Sequence, residues 1–450
     1  MKKKILIFSV SILTLIVALS FAVEKRKGKG PQGRHREQRG YKLKEKKPTK
    51  GEVVLTEKGK QIQSIARLRI LVSSDESPYW PRWSPDGEWV VFMSQAYDDY
   101  EICKIRVDGI GFTRLTEYNW CSAQPQFSSD GSKIVYIQRV DGDGDGDPWD
   151  HPTDGARIWI MDADGSNQRQ ITPHPLYCSH FPEFSPDGSK VAYRRDDTYD
   201  LWMMNSDGTD PVKLTTLGTK PHRYHWSPDG NKIAFDMSKE SPFTSYEGAI
   251  GVVDVTTTET IFLSDITDSM CQKRPYWNDD GTKIIYLDDV DRTGNIWVMN
   301  PDGSGKTPLT DAASHEYCCY AKFSFSEDGR YIVFRSDENY EDIPGGGDYK
   351  IWVMTEDGKW RLPLTLDGQL DGSDPYHISA NYNMSRILFR TDDIYVIDLD
   401  IRDSDSDGLL NWEEVLYRTK MDNPDTDGGG ESDGSEVENG RDPLDPNDDV

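Results

Sequence analysis

The chain runs to 450 residues and carries 78 Asp and Glu against 52 Lys and Arg, a formal net charge of −26. That length accommodates one large domain with appendages. The first sixty residues (+12) and the last fifty (−12) offset one another, leaving −26 on residues 61–400; a body of that sign repels phosphate backbones, which excludes nucleic acid as its partner.

Residues 1–22 read as an export signal: Lys2, Lys3 and Lys4, an apolar run from Ile5, then Ser20-Phe21-Ala22 ahead of a cleavage point. The competing reading is an uncleaved anchor, because an apolar stretch of about 18 residues is at the lower edge of a membrane span. No Cys follows Ala22 directly, so a lipid anchor is not indicated, and no span is expected in the mature chain. Residues 23–60 are rich in Lys, Arg, Gly and Gln. They are expected to be a disordered basic linker, either a solvated spacer or a tether adhering to an anionic envelope surface.

From residue 61 to 400 one phrase recurs. Its first half is a turn running into a strand, Ser84-Pro-Asp-Gly87 before Val90-Val-Phe92. It returns at Ser128–Gly131, Ser185–Gly188, Ser227–Gly230, Asn278–Gly281 and Ser326–Gly329, with spacings of 44, 57, 42, 51 and 48 residues. Pro presets φ, and Gly takes the positive-φ position that closes a tight hairpin. The second half is an aromatic strand closed by Asp-Gly, as in Ile158-Trp-Ile-Met161, Leu201-Trp-Met-Met204, Ile296-Trp-Val-Met299 and Ile351-Trp-Val-Met354. A Leu-Thr or Ile-Thr pair follows at Leu115, Ile171, Leu214, Leu309 and Leu364. β-rich self-similarity at roughly 40–50 residues is the signature of propeller blades.

Six copies are clear, although the fourth lacks its Asp-Gly after Ile250–Asp254. A degenerate seventh runs from Pro375 through Arg386-Ile-Leu-Phe389 and Ile394-Tyr-Val-Ile397 without a final strand. Arg69-Ile-Leu-Val72 stands in the register of that missing strand, with Leu71 ten residues before Pro81 as Leu115 is before Pro125. The expected fold is therefore all-β: a propeller of seven four-stranded blades, closed noncovalently by its N-terminal strand, with six blades as the alternative count.

These phrases resemble the TolB-type β-propeller family, which also supplies the propeller of prolyl-oligopeptidase-like enzymes. The resemblance covers roughly residues 66–400. It implies a toroid whose axial channel binds a protein or ligand, and it carries over no catalytic residue.

An acidic run interrupts the second copy, with Asp141, Asp143 and Asp145 in alternation and Pro152 where a twelfth-position ligand would stand. It reads as a calcium loop or as a merely flexible one. Cys121, Cys178 and Cys271 each precede an inner-strand Pro by four residues, and Cys319 precedes Phe323 likewise. They are expected near one channel mouth, as duplicated small apolar residues, as disulfides in an oxidising compartment, or as a thiolate metal site. Five of the eight His (His180, His222, His225, His315 and His377) fall near the starts of inner strands.

After residue 400 the composition turns to Asp, Gly, Asn and Glu. Asp403, Asp405 and Asp407 occupy positions 1, 3 and 5 of a calcium loop, Gly408 position 6, Leu409 position 7, Asn411 position 9 and Glu414 position 12. A short exiting helix is expected from Trp412 to Lys420. A second loop offers Asp425, Asp427, Glu431, Asp433 and Glu436, with Gly429 in place of the third carboxylate. No incoming helix precedes Asp403, so residues 403–449 resemble thrombospondin type 3 or dockerin-like loops rather than an EF-hand pair. That resemblance implies an extracellular calcium-ordered spacer or docking segment, with calcium the one cofactor expected.

Two motif matches carry no weight. Gly430-Glu-Ser432-Asp-Gly434 copies a nucleophile elbow but has no strand before it, and Ser304-Gly-Lys-Thr307 ends a phosphate loop whose first Gly is Asn300. The expected function is an exported, noncatalytic, monomeric binding module, periplasmic or at the cell surface, that takes a protein or envelope ligand at the channel mouth. The alternative is a propeller lyase or hydrolase with an axial His and metal site.

Overall fold

The computed structural model describes residues 56–449 apart from 98, 118–120, 142–154, 173–178, 217–220, 222, 239–247, 264–271, 289–293, 311–322, 327–328, 337–348, 367 and 371–372. The signal, most of the basic linker, Asp143, Asp145, Cys178, Cys271, Cys319, His222 and His315 lie outside the described residues.

The repeat folds into seven four-stranded antiparallel sheets. Strands β2 (Pro78–Trp83), β3 (Trp89–Tyr97), β4 (Asp99–Arg106) and β5 (Thr113–Arg114) form the first blade. The inner strands of the next five are β6 (Ser122–Phe127), β10 (Ser179–Phe184), β14 (Tyr224–Trp226), β18 (Gln272–Trp277) and β22 (Phe323–Phe325), each followed by three further strands. In the seventh, β26 (Tyr376–Ala380), β27 (Arg386–Arg390) and β28 (Ile394–Leu399) are joined by β1 (Ala66–Val72). Ala66 pairs with Leu399 and Val72 with Ile394, so the N-terminal strand closes the ring as its register implied. Seven blades, not six, is the count.

Each word of the phrase has a structural task. Ser84 Oγ accepts from Trp89 N at 2.9 Å, and Gly87 sits at φ 66°. Asn278 and Asn381 replace that hydroxyl, their Oδ1 atoms accepting from Lys283 N at 2.8 Å and Arg386 N at 2.7 Å. In the Leu-Thr pair the apolar member is buried, while the Thr hydroxyl accepts a third-strand N–H. Thr116 takes it from Ile102, Thr215 from Leu201 and Thr365 from Ile351, at 2.9, 3.1 and 3.0 Å. Blade four, lacking Asp-Gly, turns instead through Thr258 at φ 60°, with Asp254 Oδ1 accepting from Thr256 N and Thr257 N.

The ends of the described chain depart from expectation. A helix, α1 (Glu57–Ile65), begins inside the expected linker, capped by Thr56 and burying Ile62 and Ile65. Its apolar face needs a partner, and the tail supplies it. Helix α2 (Asn411–Tyr417), shorter than the span expected through Lys420, shares one core with Ile62, Ile65, Tyr331 and Leu362. Trp412 is fully buried and meets Tyr331 edge-on at 4.9 Å. Tyr331 Oη also donates to Glu413 Oε1 at 2.6 Å. The tail is thus docked on blade six rather than held away as a free spacer.

Candidate functional site

Five inner strands carry the same irregularity. The pairing of each with the next strand slips by a residue, between Tyr79 and Arg82, Ala123 and Gln126, His180 and Glu183, Lys273 and Tyr276, and Tyr376 and Ser379. At each slip a non-glycine residue is left-handed: Trp80, Gln124, Phe181, Arg274 and His377, with φ between 54° and 56°. Four of them precede Pro, a position that favours extended backbone. Bulges re-aim side chains beside functional sites, and repeated left-handed non-glycine residues mark strain held by the surrounding structure.

Two residues before each turn lies a second ring: Arg82, Gln126, Glu183, His225, Tyr276, Ser324 and Ser379. With Trp80, Arg274 and His377 of the bulge residues it lines an axial cavity of about 460 Å³. Ring members fasten one blade to the next. Gln126 Oε1 accepts from Phe184 N at 3.0 Å, and His225 Nδ1 from Trp277 N at 3.4 Å. Asp236 accepts from the backbone N–H groups of both Arg223 (2.7 Å) and Arg274 (3.0 Å), setting two arginines at the mouth.

Among the described lining residues, three guanidiniums (Arg82, Arg223 and Arg274) share the cavity with one carboxyl, Glu183. Burial lowers Arg223 to about 10, and repulsion from Arg274 adds to it. Burial pushes Glu183 up to about 8, a rise that Arg82 partly offsets. The Arg223 guanidinium lies 5.0 Å from the Trp80 ring centre and 5.2 Å from that of Phe181, a cation–π arrangement.

Three of the expected imidazoles are among the described residues. His225 stacks on Tyr276 at 3.7 Å and is held near 3 by burial and then by Arg82, so it is neutral at physiological pH. His377 lies 4.6 Å from the Trp80 ring, and His180 faces Asp196 at 3.0 Å. Cys121 lies just before β6, half-buried, and burial raises its thiol to about 11. Sequence reasoning passed over Arg82, Trp80, Arg223 and Arg274; the signal that finds them is their fixed offset from the repeated turn.

The second constellation is the tail. Asp403, Asp405 and Asp407 bring carboxylate oxygens within 4.8 Å of one another. Asp403 Oδ1 accepts from Ser406 N at 2.7 Å and Asp407 Oδ1 from Leu409 N at 2.8 Å, which shapes the loop. Both oxygens of Asp405 and of fully buried Glu414 have no hydrogen-bond donor, and neither does Asn411 Oδ1. Glu414 is pushed up to about 8 by burial and then by Asp405, Asp407, Asp433 and Asp403. Buried carboxylates are ordinarily paired or bound to metal, and these hard oxygens suit calcium.

In the second loop, Asp425 repeats the role of Asp403, accepting from Gly428 N at 2.7 Å and Gly430 N at 3.1 Å. Asp433 is engaged by Thr426, whose N and Oγ1 donate at 2.8 and 2.7 Å, while Glu431 pairs with Arg441. The loops are tied together through Asp407 Oδ2, which accepts from Gly434 N at 2.9 Å. Ser432, the nucleophile-elbow look-alike, caps helix α3 (Asp433–Glu438). Of the acidic run in blade two, only Asp141 is among the described residues, just past the second strand of that blade.

A family model described as the TolB beta propeller domain matches residues 151–317. Uncharacterized protein Atu1656 of Agrobacterium fabrum is 35% identical over 120 residues, covering 26% of this chain and 39% of that protein. Uncharacterized peptidase YuxL of Bacillus subtilis is 29% identical over 25% of this chain and 17% of its own. The Tol-Pal system protein TolB of Francisella tularensis is 24% identical over 37% and 36%. The chain thus spans well under half the length of each of these relatives. Among solved structures, an oligogalacturonate lyase in complex with manganese superposes with a TM-score of 0.55 at 13% identity, covering 74% of this chain and 93% of the lyase. A puromycin hydrolase gives 0.50 at 13%, covering 71% and 50%. Identities this low speak for the fold alone. The match to the TolB beta propeller model is confined to residues 151–317, within a ring of seven four-stranded blades.

Proposed function

We propose that this protein is an exported, noncatalytic binding module whose channel mouth takes a carboxylate-bearing group of a protein or envelope ligand. The observation that carries this reading is the mouth itself, three arginines and an aromatic wall set in a propeller of net charge −26. Guanidinium forks recognise carboxylates bidentately, and the low dielectric of a channel strengthens the contact. A short oligoglutamate is a suitable probe. It is expected to bind the intact protein, and to lose binding when Arg82, Arg223 and Arg274 are changed together to Gln. Binding that is indifferent to those changes, or equal for oligoglutamine, overturns the reading.

The tail enters as a calcium-binding element, with Asp403, Asp405, Asp407, Asn411 and Glu414 as the first set of side-chain ligands. Calcium would offset the repulsion among the clustered carboxylates and hold the loop against α2. Among the described residues no helix is long and apolar enough to cross a membrane. The periplasm or cell surface is the location that the signal-like first 22 residues support.

A second reading is a lyase or hydrolase with a metal among the axial imidazoles. His225 and His377 both line the mouth, and the fold likeness includes a lyase and a hydrolase. A transition metal retained at one equivalent by chelator-treated protein would favour it, and calcium alone the binding module.

A further inference from the structure

The second tail loop lacks its fifth-position carboxylate, where Gly429 stands. The last residues of the described chain fold back onto that vacant position. Asp445 N donates to Asp442 O at 2.9 Å, and Asp442 N donates to Asp448 Oδ2 at 3.1 Å, so the segment curls on itself. Lys359 of blade six holds Asp442 at 3.1 Å. This brings the next residue, Asp449, over Gly429, where a Cβ added to the glycine would collide with the Asp449 carboxylate.

Asp449 also takes over the hydrogen bond of the missing residue. In the first loop the fifth-position carboxylate, Asp407, accepts from the N–H of the seventh residue, Leu409, at 2.8 Å. In the second, the N–H of the seventh residue, Glu431, donates to Asp449 Oδ2 at 2.9 Å. Asp427, Glu436 and Asp449 then offer oxygens within 4.8 Å of one another. Glu436 is fully buried and both its oxygens lack a donor, as do Asp427 Oδ2 and Asp449 Oδ1. A buried carboxylate with no donor, aimed at two others, is satisfied by a proton or by a bound cation.

We propose that the second loop is a complete calcium site in which Asp449, twenty residues downstream of Gly429, is the fifth-position ligand. Asp427, Glu436 and Asp449 supply hard anionic oxygens at a flexible loop, the donor set that calcium takes. The assignment rests on the calcium reading of the tail, and the two can fail separately.

The test is calorimetric titration of the chelator-stripped full chain with calcium chloride. Asp449→Ala is expected to bind one calcium fewer than the unaltered chain, as is Glu436→Gln, while Glu414→Gln removes a different equivalent. Because Gly429 is not at positive φ, Gly429→Asp placed in the Asp449→Ala chain is expected to restore the lost equivalent. The same Gly429→Asp change alone is expected to weaken uptake by crowding Asp449. Full uptake by Asp449→Ala, or loss without rescue by Gly429→Asp, overturns the role of Asp449 and leaves the first site standing. No tail uptake by the unaltered chain overturns the calcium reading and this assignment together.

Discussion

Single side chains at the mouth and along the blades make their contributions separately measurable. Glu183 has an ordinary carboxyl value of 4.5 when unfolded and about 8 when folded, because burial disfavours its anion. Between those values the folded chain holds a proton that the unfolded chain has released, so this residue's contribution to stability declines as pH rises across that window. The same proton keeps the mouth cationic. Oligoglutamate affinity is therefore expected to fall as pH passes about 8, with Arg82, Arg223, Tyr224 and His225 lining the same cavity as the ionising group. Glu183→Gln should flatten that profile, and a profile unchanged in the variant would show that another group controls it. Along the blades, Thr365→Val leaves the buried Ile351 N–H without its acceptor. That is expected to cost about 1–3 kcal/mol, read by urea unfolding. The repeated Leu-Thr pair could be read from the chain, but its hydrogen bond could not, since the partner lies 14 residues back along the sequence.

At the level of elements, β1 is the clearest success of pattern reading and the bulges are the clearest failure. Arg69–Val72 announced itself by spacing alone, because closure requires only that an orphan strand match an incomplete blade. The strand also brings Arg69, which pairs with Asp398 on β28 and donates to Val107 O at 2.8 Å on blade one. Deleting residues through Ser73 removes α1 and β1, exposes a sheet edge and strips Ile62 and Ile65 from the core. A loss of several kcal/mol is expected, read as a lower melting temperature. An unchanged melt would mean that the ring is held elsewhere. The bulges were hidden for a local reason: an X-Pro step points to extended backbone, and the left-handed Trp80, Gln124, Phe181 and Arg274 are held by contacts between blades. Phe181 N, for example, is held by Gln124 Oε1 at 2.6 Å. Asp449 was hidden for a different reason. Nothing within a twelve-residue window reveals a ligand arriving from beyond it.

For the whole molecule, the docking of α2 changes what calcium removal should do. A free spacer would lose order without consequence for the propeller. Here Trp412, Val415 and Leu416 share a core with blade six and α1, so opening the loop that ends in Glu414 loosens the same core. Chelation is expected to lower the melting temperature of the full chain, and Trp412→Ala should do so by the equivalent of about 3–5 kcal/mol, whether calcium is present or not. If chelation shifts only a minor tail transition, the two parts are independent. The ring two residues before the turns has a wider consequence. One backbone, copied seven times, presents there arginine, glutamine, glutamate, histidine, tyrosine and two serines. Each copy is a separate letter in a circular word, and most letters can be rewritten without touching a strand pairing. Where the letter also fastens its neighbour, as at Gln126 and His225, the alphabet narrows to residues with an acceptor. Recognition in such a molecule can drift far while the architecture stays fixed, so two propellers that superpose closely need have no ligand in common.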